Sequence, residues 1–290
     1  MSIPTNSYCV ECLLGKHAAN ARSLGDDETA YRFTKAVMRI ILDAASTDSS
    51  AVLGARINRL YTEFFGLPQD RFREEKEFSN KFVMERLDDI RAKTEQAEDP
   101  VLTGLQYAIL GNYIDFSALG KNVSFEALEE MLKHPEKFSF DLGVYESFCR
   151  DLENAKSMLY LTDNAGEIGF DWLLAEQLQK RYPQLTITFC VRGLPAHNDA
   201  TREDCEFMGI PFSVIDNGSD IGGTDPGSVN AETLAALEDS DVILSKGMGN
   251  TETLYGSGYN IYYAFLIKCK RLQQVFHAPF MTATFAKERM

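Results

Sequence analysis

The 290-residue chain is 44% hydrophobic and carries a formal net charge of −14. That apolar content can bury one large core or two moderate ones, so disorder is not the expected state. The excess of acid argues against binding nucleic acid or an anionic membrane surface, both of which need clustered Lys and Arg.

The N-terminal stretch MSIPTNSYCVECLLGKHAANARSL has no basic region leading into a long apolar run. Nor does any later segment approach the roughly 18 uninterrupted apolar residues of a membrane span, so the cytoplasm is the expected compartment. Cys9 and Cys12 form the only C-x-x-C, and six cysteines spread over this length suit reduced thiols better than a disulfide framework. With no second pair at zinc-finger spacing, Cys9 and Cys12 read as two thiols in the first turns of a helix.

Helical periodicity then covers roughly 8–23, 28–45, 51–65, 70–97, 100–114, 124–133 and 143–156. In the fourth of these, Phe78, Phe82, Met84 and Leu87 alternate with the charged face of Glu77, Lys81, Glu85 and Asp88. Close to residue 155 the rhythm changes. MLYLT, LTITFCV, FSVI, DVILS and finally QQVFHA read as strands, and the stretches between them read as helices. Alternation of this kind predicts an α/β/α domain with a parallel sheet over 156–290, beside a helical N-terminal region over 1–155. The stretch NGSDIGGTDPGS, residues 217–228, reads as a mobile, Gly-rich, acidic loop.

Ligands of such folds sit beyond the carboxyl ends of the strands. Asp163-Asn164 and Gly166-Glu167 follow the first strand, His197-Asn198-Asp199 and Arg202 the second, Asp216-Asn217 the third, and Lys246, Asn250 and Glu252 the fourth. Taken singly, Asp163 or Asn164 suits a helix N-cap or a turn, and Asp199 suits a cap before Ala-Thr-Arg-Glu. Four consecutive strand-end loops that converge on one crevice make a site the better reading. Two carboxylates and an amide oxygen form a hard donor set, which suits Mg²⁺ or Mn²⁺ and disfavours zinc.

YLTDNAGEIGFD, GLPAHNDATREDC and SKGMGNTETL, with GNYIDF at 111–116, resemble the motif set of the metal-dependent damage-control phosphatases, also known as domain of unknown function 89. The C-x-x-C and Lys268-Cys269 are similar to the prokaryotic branch of that family. The resemblance spans essentially the whole chain. It implies hydrolysis of phosphate monoesters, sugar phosphates included, with a divalent cation: Mg²⁺ or Mn²⁺, with Co²⁺ or Ni²⁺ as further candidates. It places metal ligands on Asp163, Asn164 and Asp199. Substrate-contacting positions fall on Glu167, Lys246 and Asn250, with Asn112 and Asp115 reaching in from the helical part.

The residues' own chemistry agrees with this implication. A phosphate dianion beside two carboxylates is repelled unless a cation intervenes, and unit charges 4 Å apart interact by about 4 kcal/mol at an effective dielectric near 20. Lys246 is expected to project its ammonium into the crevice, where backbone N–H groups near Gly166 and Gly247 take the remaining phosphoryl charge. Metal-activated water is the expected nucleophile. Ala165 stands where a haloacid-dehalogenase phosphatase needs its acid, and Gly166 and Gly169 alone do not make a dinucleotide loop. The runner-up readings are a methyltransferase using S-adenosylmethionine and a module that binds a phosphorylated metabolite without turnover. A small phosphorylated metabolite is the expected partner, and the sequence does not specify an oligomeric state.

Overall fold

The computed structural model describes residues 2–288. Seven α-helices come first: α1 (Ser7–Leu24), α2 (Asp27–Leu42), α3 (Ser50–Phe65), α4 (Arg73–Glu95), α5 (Pro100–Gly111), α6 (Phe125–Leu132) and α7 (Leu142–Asn154). Local chemistry sets where several begin. Asn6, Asp26, Ser49 and Asp99 each accept first-turn N–H groups through a side-chain oxygen, and Pro100 occupies the first position of α5, where no N–H is needed. Helices α1 to α3 pack on one another around Ala21, Phe33, Val37, Ile57 and Tyr61.

Six strands follow: β1 (Ser157–Leu161), β2 (Thr186–Val191), β3 (Ser213–Asp216), β4 (Val242–Lys246), β5 (Ile261–Leu266) and β6 (Ala283–Lys287). They lie in the order β3-β2-β1-β4-β5-β6; all neighbours are parallel except β5 and β6. The connections are α8 (Glu167–Arg181), α9 (Arg202–Met208), α10 (Ala231–Asp239), α11 (Gly247–Leu254) and α12 (Lys270–Phe276). This mostly parallel α/β fold is the one expected. Because strand order reverses beside β1, the loops leaving β1 and β4 diverge to opposite faces and open a crevice between them.

Alternation along the strands separates two cores. Met158, Tyr160, Phe189, Leu244 and Tyr262 face a large cluster that takes in Phe82, Leu105, Phe148, Phe170 and Leu174. Leu159, Leu161, Cys190, Ile243 and Phe265 face the opposite cluster with Leu237, Leu254 and Leu272. The larger cluster joins α4, α5 and α7 to the sheet, so apolar packing continues across residue 155.

Three expectations are corrected. QQVFHA is not a strand: Lys270–Phe276 is a short helix, and the fifth strand is the preceding IYYAFL, buried along its whole length. A strand covered on both faces shows no alternation, which is why it reads like a buried helix. The antiparallel β6 was not expected at all. The loop 217–228 is packed in its first part, with Asn217 and Thr224 fully buried and Asn217 bonded to Gly193 N, Ser219 N and Gly223 O.

His17 of α1 is buried, with Nδ1 2.8 Å from Tyr61 Oη. Burial pushes its pKa from 6.5 down to about 3, with Lys16 and Arg71 acting in the same direction. The unfolded chain therefore binds more protons between those values, so stability is lost as pH falls through that window. His17→Gln should remove up to about 1.4 kcal/mol per pH unit of the loss. Urea unfolding of both proteins between neutral and mildly acidic pH measures this, and equal slopes would take the loss away from His17 and leave it to other groups such as His197, which burial also lowers to about 3.

Candidate active site at the sheet crossover

The segment leaving β1 is laced to the segment leaving β2. Thr162 N donates to Cys190 O, Ala165 N to Asn198 O and Ala200 N to Asp163 O, and Asn164 bridges to Asp199. Gly166 then turns the chain at φ +79°; a Cβ there would meet Ser79 of α4 at 2.8 Å, and its N–H donates to Asn80 Oδ1 at 2.6 Å. Neither suspected aspartate caps a helix, since Gly166 stands at the start of α8 and Thr201 at the start of α9.

Asp163, Asn164 and Asp199 meet at the floor of a cavity of about 710 Å³, which Asp115 also lines. Asp163 Oδ2 accepts from the amides of Asn112 and Asn164, each at 2.8 Å. Asp199 Oδ2 accepts from Arg192 Nε at 2.6 Å. The other oxygen of each carboxylate accepts no hydrogen bond from the described residues; the nearest cation to Asp163 Oδ1 is Arg192 Nη2, at 3.8 Å. Burial first, then the charges of Asp199, Glu167 and Asp115, raise the Asp163 carboxyl well above the usual range. Asp199 is pushed up to about 6 by burial, with Arg192 opposing. The floor is thus a pair of buried carboxyls that lack enough positive charge.

A second layer lies beneath. Lys246 is fully buried and donates to Ala108 O at 2.8 Å, Glu167 Oε1 at 2.5 Å and Asp171 Oδ1 at 2.8 Å. The expected projection of its ammonium into the crevice is therefore corrected. Lys246 continues the face of Val242 and Leu244, which points towards α5 and α8 and away from the cavity. Asn112 donates to both Glu167 oxygens and accepts from Leu266 N, so this layer fastens β5 to the floor. Asn250 is likewise fully buried. It accepts from Arg192 and Thr224 and donates to Thr162 O and Lys246 O, which holds the ends of β1, β2 and β4 together. Of the positions singled out in the sequence, Asp115, Asp163, Asn164, His197, Asp199 and Glu252 border the cavity; Asn112, Gly166, Glu167, Lys246, Gly247 and Asn250 stand behind them. Arg202 lies apart, paired with Asp216 on the surface.

Arg192 went unnoticed in the sequence, although its place straight after LTITFCV marked it as a strand-end residue. It is fully buried and joins Asp199, Asn250 and Thr224, and its Nη2 has no hydrogen-bond partner. Lys268 was noted only as part of a motif. Its ammonium pairs with Asp115 Oδ2 at 2.7 Å, and although burial acts the other way, that pairing keeps the Asp115 carboxyl below its ordinary value. Cys9, Cys12 and Cys269 border the same cavity and all are unpaired.

Residues 5–279 match the family described as "Damage-control phosphatase ARMT1-like domain". An uncharacterized protein of Methanocaldococcus jannaschii is 32% identical over 281 residues, covering 93% of this chain and 90% of its own length. A damage-control phosphatase of Archaeoglobus fulgidus is 32% identical over 268 residues, covering 90% and 91% respectively. The crystal structure of a domain of unknown function 89 protein from Pyrococcus horikoshii superposes with a TM-score of 0.84 over 99% of both chains at 24% identity, a likeness of fold.

Two substitutions probe the geometry. Gly247 sits at φ +80°, and a Cβ there would fall 2.1 Å from the Asp163 carboxyl carbon. Gly247→Ala should therefore displace Asp163 and cost about 1–3 kcal/mol of stability, read from denaturant unfolding. Lys246→Met leaves Glu167 and Asp171 buried without their cation and should cost about 3–5 kcal/mol. A variant as stable as the parent would show that the triad is not held as described.

Proposed function

Since the chain belongs to the damage-control phosphatase ARMT1-like domain family, we propose that it hydrolyses phosphate monoesters of small metabolites, sugar phosphates among them, with a divalent cation held by Asp163, Asn164 and Asp199. One observation carries this reading: two buried carboxylates at the crossover, each with an oxygen free of hydrogen bonds, border a cavity of metabolite size. Buried like charges are costly unless a cation joins them. An all-oxygen donor set fits a hard ion, Mg²⁺ or Mn²⁺, with Co²⁺ or Ni²⁺ as further candidates. Among the described residues no group of three or more His, Cys, Asp and Glu suits a metal, so the proposed set depends on the Asn164 amide oxygen as its third donor.

When bound, such an ion supplies Lewis-acid stabilisation of phosphoryl charge and a more acidic water. The remaining work falls to side chains. Arg192 and Asn112 each bind one oxygen of Asp199 and Asp163, which fixes the direction of the free ones. Glu167, kept in place by Lys246, holds Asn112 and Asn164 in turn. Lys268, its side chain closed to solvent, pairs with Asp115 Oδ2 and donates to the Asn112 carbonyl, so it positions Asp115 at the cavity and adds positive potential beneath the floor. In the reaction the bond from phosphorus to the leaving oxygen breaks as a water oxygen bonds to phosphorus. The water's proton ends on the departing alcohol.

No described helix is long and apolar enough to cross a membrane. The unpaired cysteines support a reducing compartment, which we take to be the cytoplasm.

Turnover of p-nitrophenyl phosphate with Mg²⁺, Mn²⁺, Co²⁺ or Ni²⁺, against EDTA, tests the proposal. Asp163→Asn and Asp199→Asn should each lower metal affinity and kcat/KM by more than the roughly 10–100-fold typical of losing an outer partner of a ligand. Asp163→Asn should keep or raise Tm, because it removes a buried charge that lacks compensation. Unchanged metal affinity in both variants would overturn the ligand assignment. Tight binding of a phosphorylated metabolite without turnover would favour the binding module.

A further inference from the structure

In a chain of net charge −14, cations gather along this one cavity, which Lys16, Lys268, Lys270 and Arg271 all border. Only Lys268 has a carboxylate partner among the described residues. Lys16 donates to the Ser117 carbonyl at 2.7 Å, and the exposed Lys270 ammonium stands 5.4 Å from the centre of the Tyr8 ring. Arg271 is half-buried, and its Nε is buried with no hydrogen-bond partner. An unpartnered buried donor in a guanidinium is costly unless a ligand takes it.

The carboxylates of this outer wall do not use up that charge. Glu252, which borders the cavity from α11, is bonded to Ser50 Oγ at 2.6 Å and forms no ion pair with the described residues; burial pushes it up to about 7 against the Ser50 hydrogen bond and the nearby Arg271 charge, so near neutral pH it offsets that charge only in part. Glu11, at the rim, is exposed. The cationic wall is also displaced from the carboxylate floor. Gly247 touches Asp163 at the start of α11, and Glu252 lies five residues further along, about 7–8 Å away at 1.5 Å per residue. A sugar ring or short carbon chain spans that distance, and Tyr8, Met248 and the three thiols offer it a largely apolar flank.

Resting on the phosphatase reading, we propose that the cavity selects phosphomonoesters whose leaving group carries a second anion, a carboxylate or a further phosphate, bound by Arg271 and Lys270 at the outer wall. Lys16, held by the Ser117 carbonyl, borders the same cavity and adds to its positive potential. The phosphoryl group to be removed lies at the carboxylate floor, and the second anion is what draws the rest of the molecule outward.

Three substrates sharing one scissile bond test this: glucose 1-phosphate, glucuronic acid 1-phosphate and glucose 1,6-bisphosphate, each assayed on the full chain with Mg²⁺. At least one doubly anionic substrate should exceed glucose 1-phosphate about tenfold or more in kcat/KM, and which one it is separates carboxylate from phosphate as the second group. That ratio should fall to within about threefold in the Lys270→Ala, Arg271→Ala double variant. It should also drop in Lys270→Glu, a change at an exposed position that leaves folding untouched. Equal kcat/KM for the three substrates, or a preference that survives both variants, would overturn the proposal. Failure to turn over p-nitrophenyl phosphate with any metal is a failure of the phosphatase reading alone. In that case calorimetric titration decides: glucose 1,6-bisphosphate or glucuronic acid 1-phosphate binding about tenfold tighter than glucose 1-phosphate sustains the anion-binding wall, and equal affinities end it.

Discussion

Two aspartates, Asp163 and Asp199, are held side by side out of water where the sheet order reverses, and much of the surrounding structure is explained by what it costs to keep them there. Each is raised by burial and by neighbouring negative charge, which the buried Arg192 guanidinium opposes at Asp199 and the Lys268 ammonium opposes at Asp163 without reversing either shift. Burial of like charges is unfavourable by itself, so a pair retained in this way points to chemistry and not to stability. The strand ends, the asparagine amides and the close approach of Gly247 all serve to aim carboxylate oxygens at one place.

Beneath the floor, polarity is handled differently. Glu167, Lys246 and Asp171 form a triad that is closed to solvent, and Tyr160 adds a hydrogen bond to Asp171. Burial, opposed by Lys246 and reinforced by Glu167, pushes Asp171 up to about 7, while the two carboxylates more than offset the cost of burying the Lys246 ammonium. A network of this sort adds little net stability compared with apolar packing, but it specifies how α5 and α8 seat on the sheet. Asn112 links the two layers, because one amide group touches Asp163 above and Glu167 below. The floor is rigid because each member is positioned by more than one partner.

The helical bundle of α1 to α3 has its own small core, and its contribution to the site is wall rather than floor. Lys16 and His17 on α1 border the cavity along with Cys9 and Cys12, and the start of α12, which packs against α1, adds Lys270 and Arg271. On the proposed reading, the sheet builds the reaction centre at its strand ends, whereas elements far apart in sequence build the part of the cavity that would meet the remainder of a substrate. That division separates reaction from selectivity.

Much of this was legible beforehand. The change of rhythm near residue 155, four of the six strands and the gathering of Asp163, Asn164 and Asp199 follow from periodicity and from where parallel sheets place their loops, which are local or topological properties. Alternation along β4 even held the direction of Lys246, since it shares a face with Leu244, but a motif reading treats a lysine near glycines as exposed. The strand IYYAFL escaped because burial on both faces erases the period that distinguishes strand from helix. Which polar residues border the cavity, and which stand behind it closed to water, was decided only by tertiary packing. Asn250 and Glu167 look as available in the sequence as Asp115 does, yet Glu167 is closed off by Asn112 at the end of α5 and by Lys246, and Asn250 by Arg192, Thr224 and the end of β1. Arg192 and the unpaired cations of the outer wall belong to the same class, because the sequence lists charges but only the folded chain brings them together or keeps them apart.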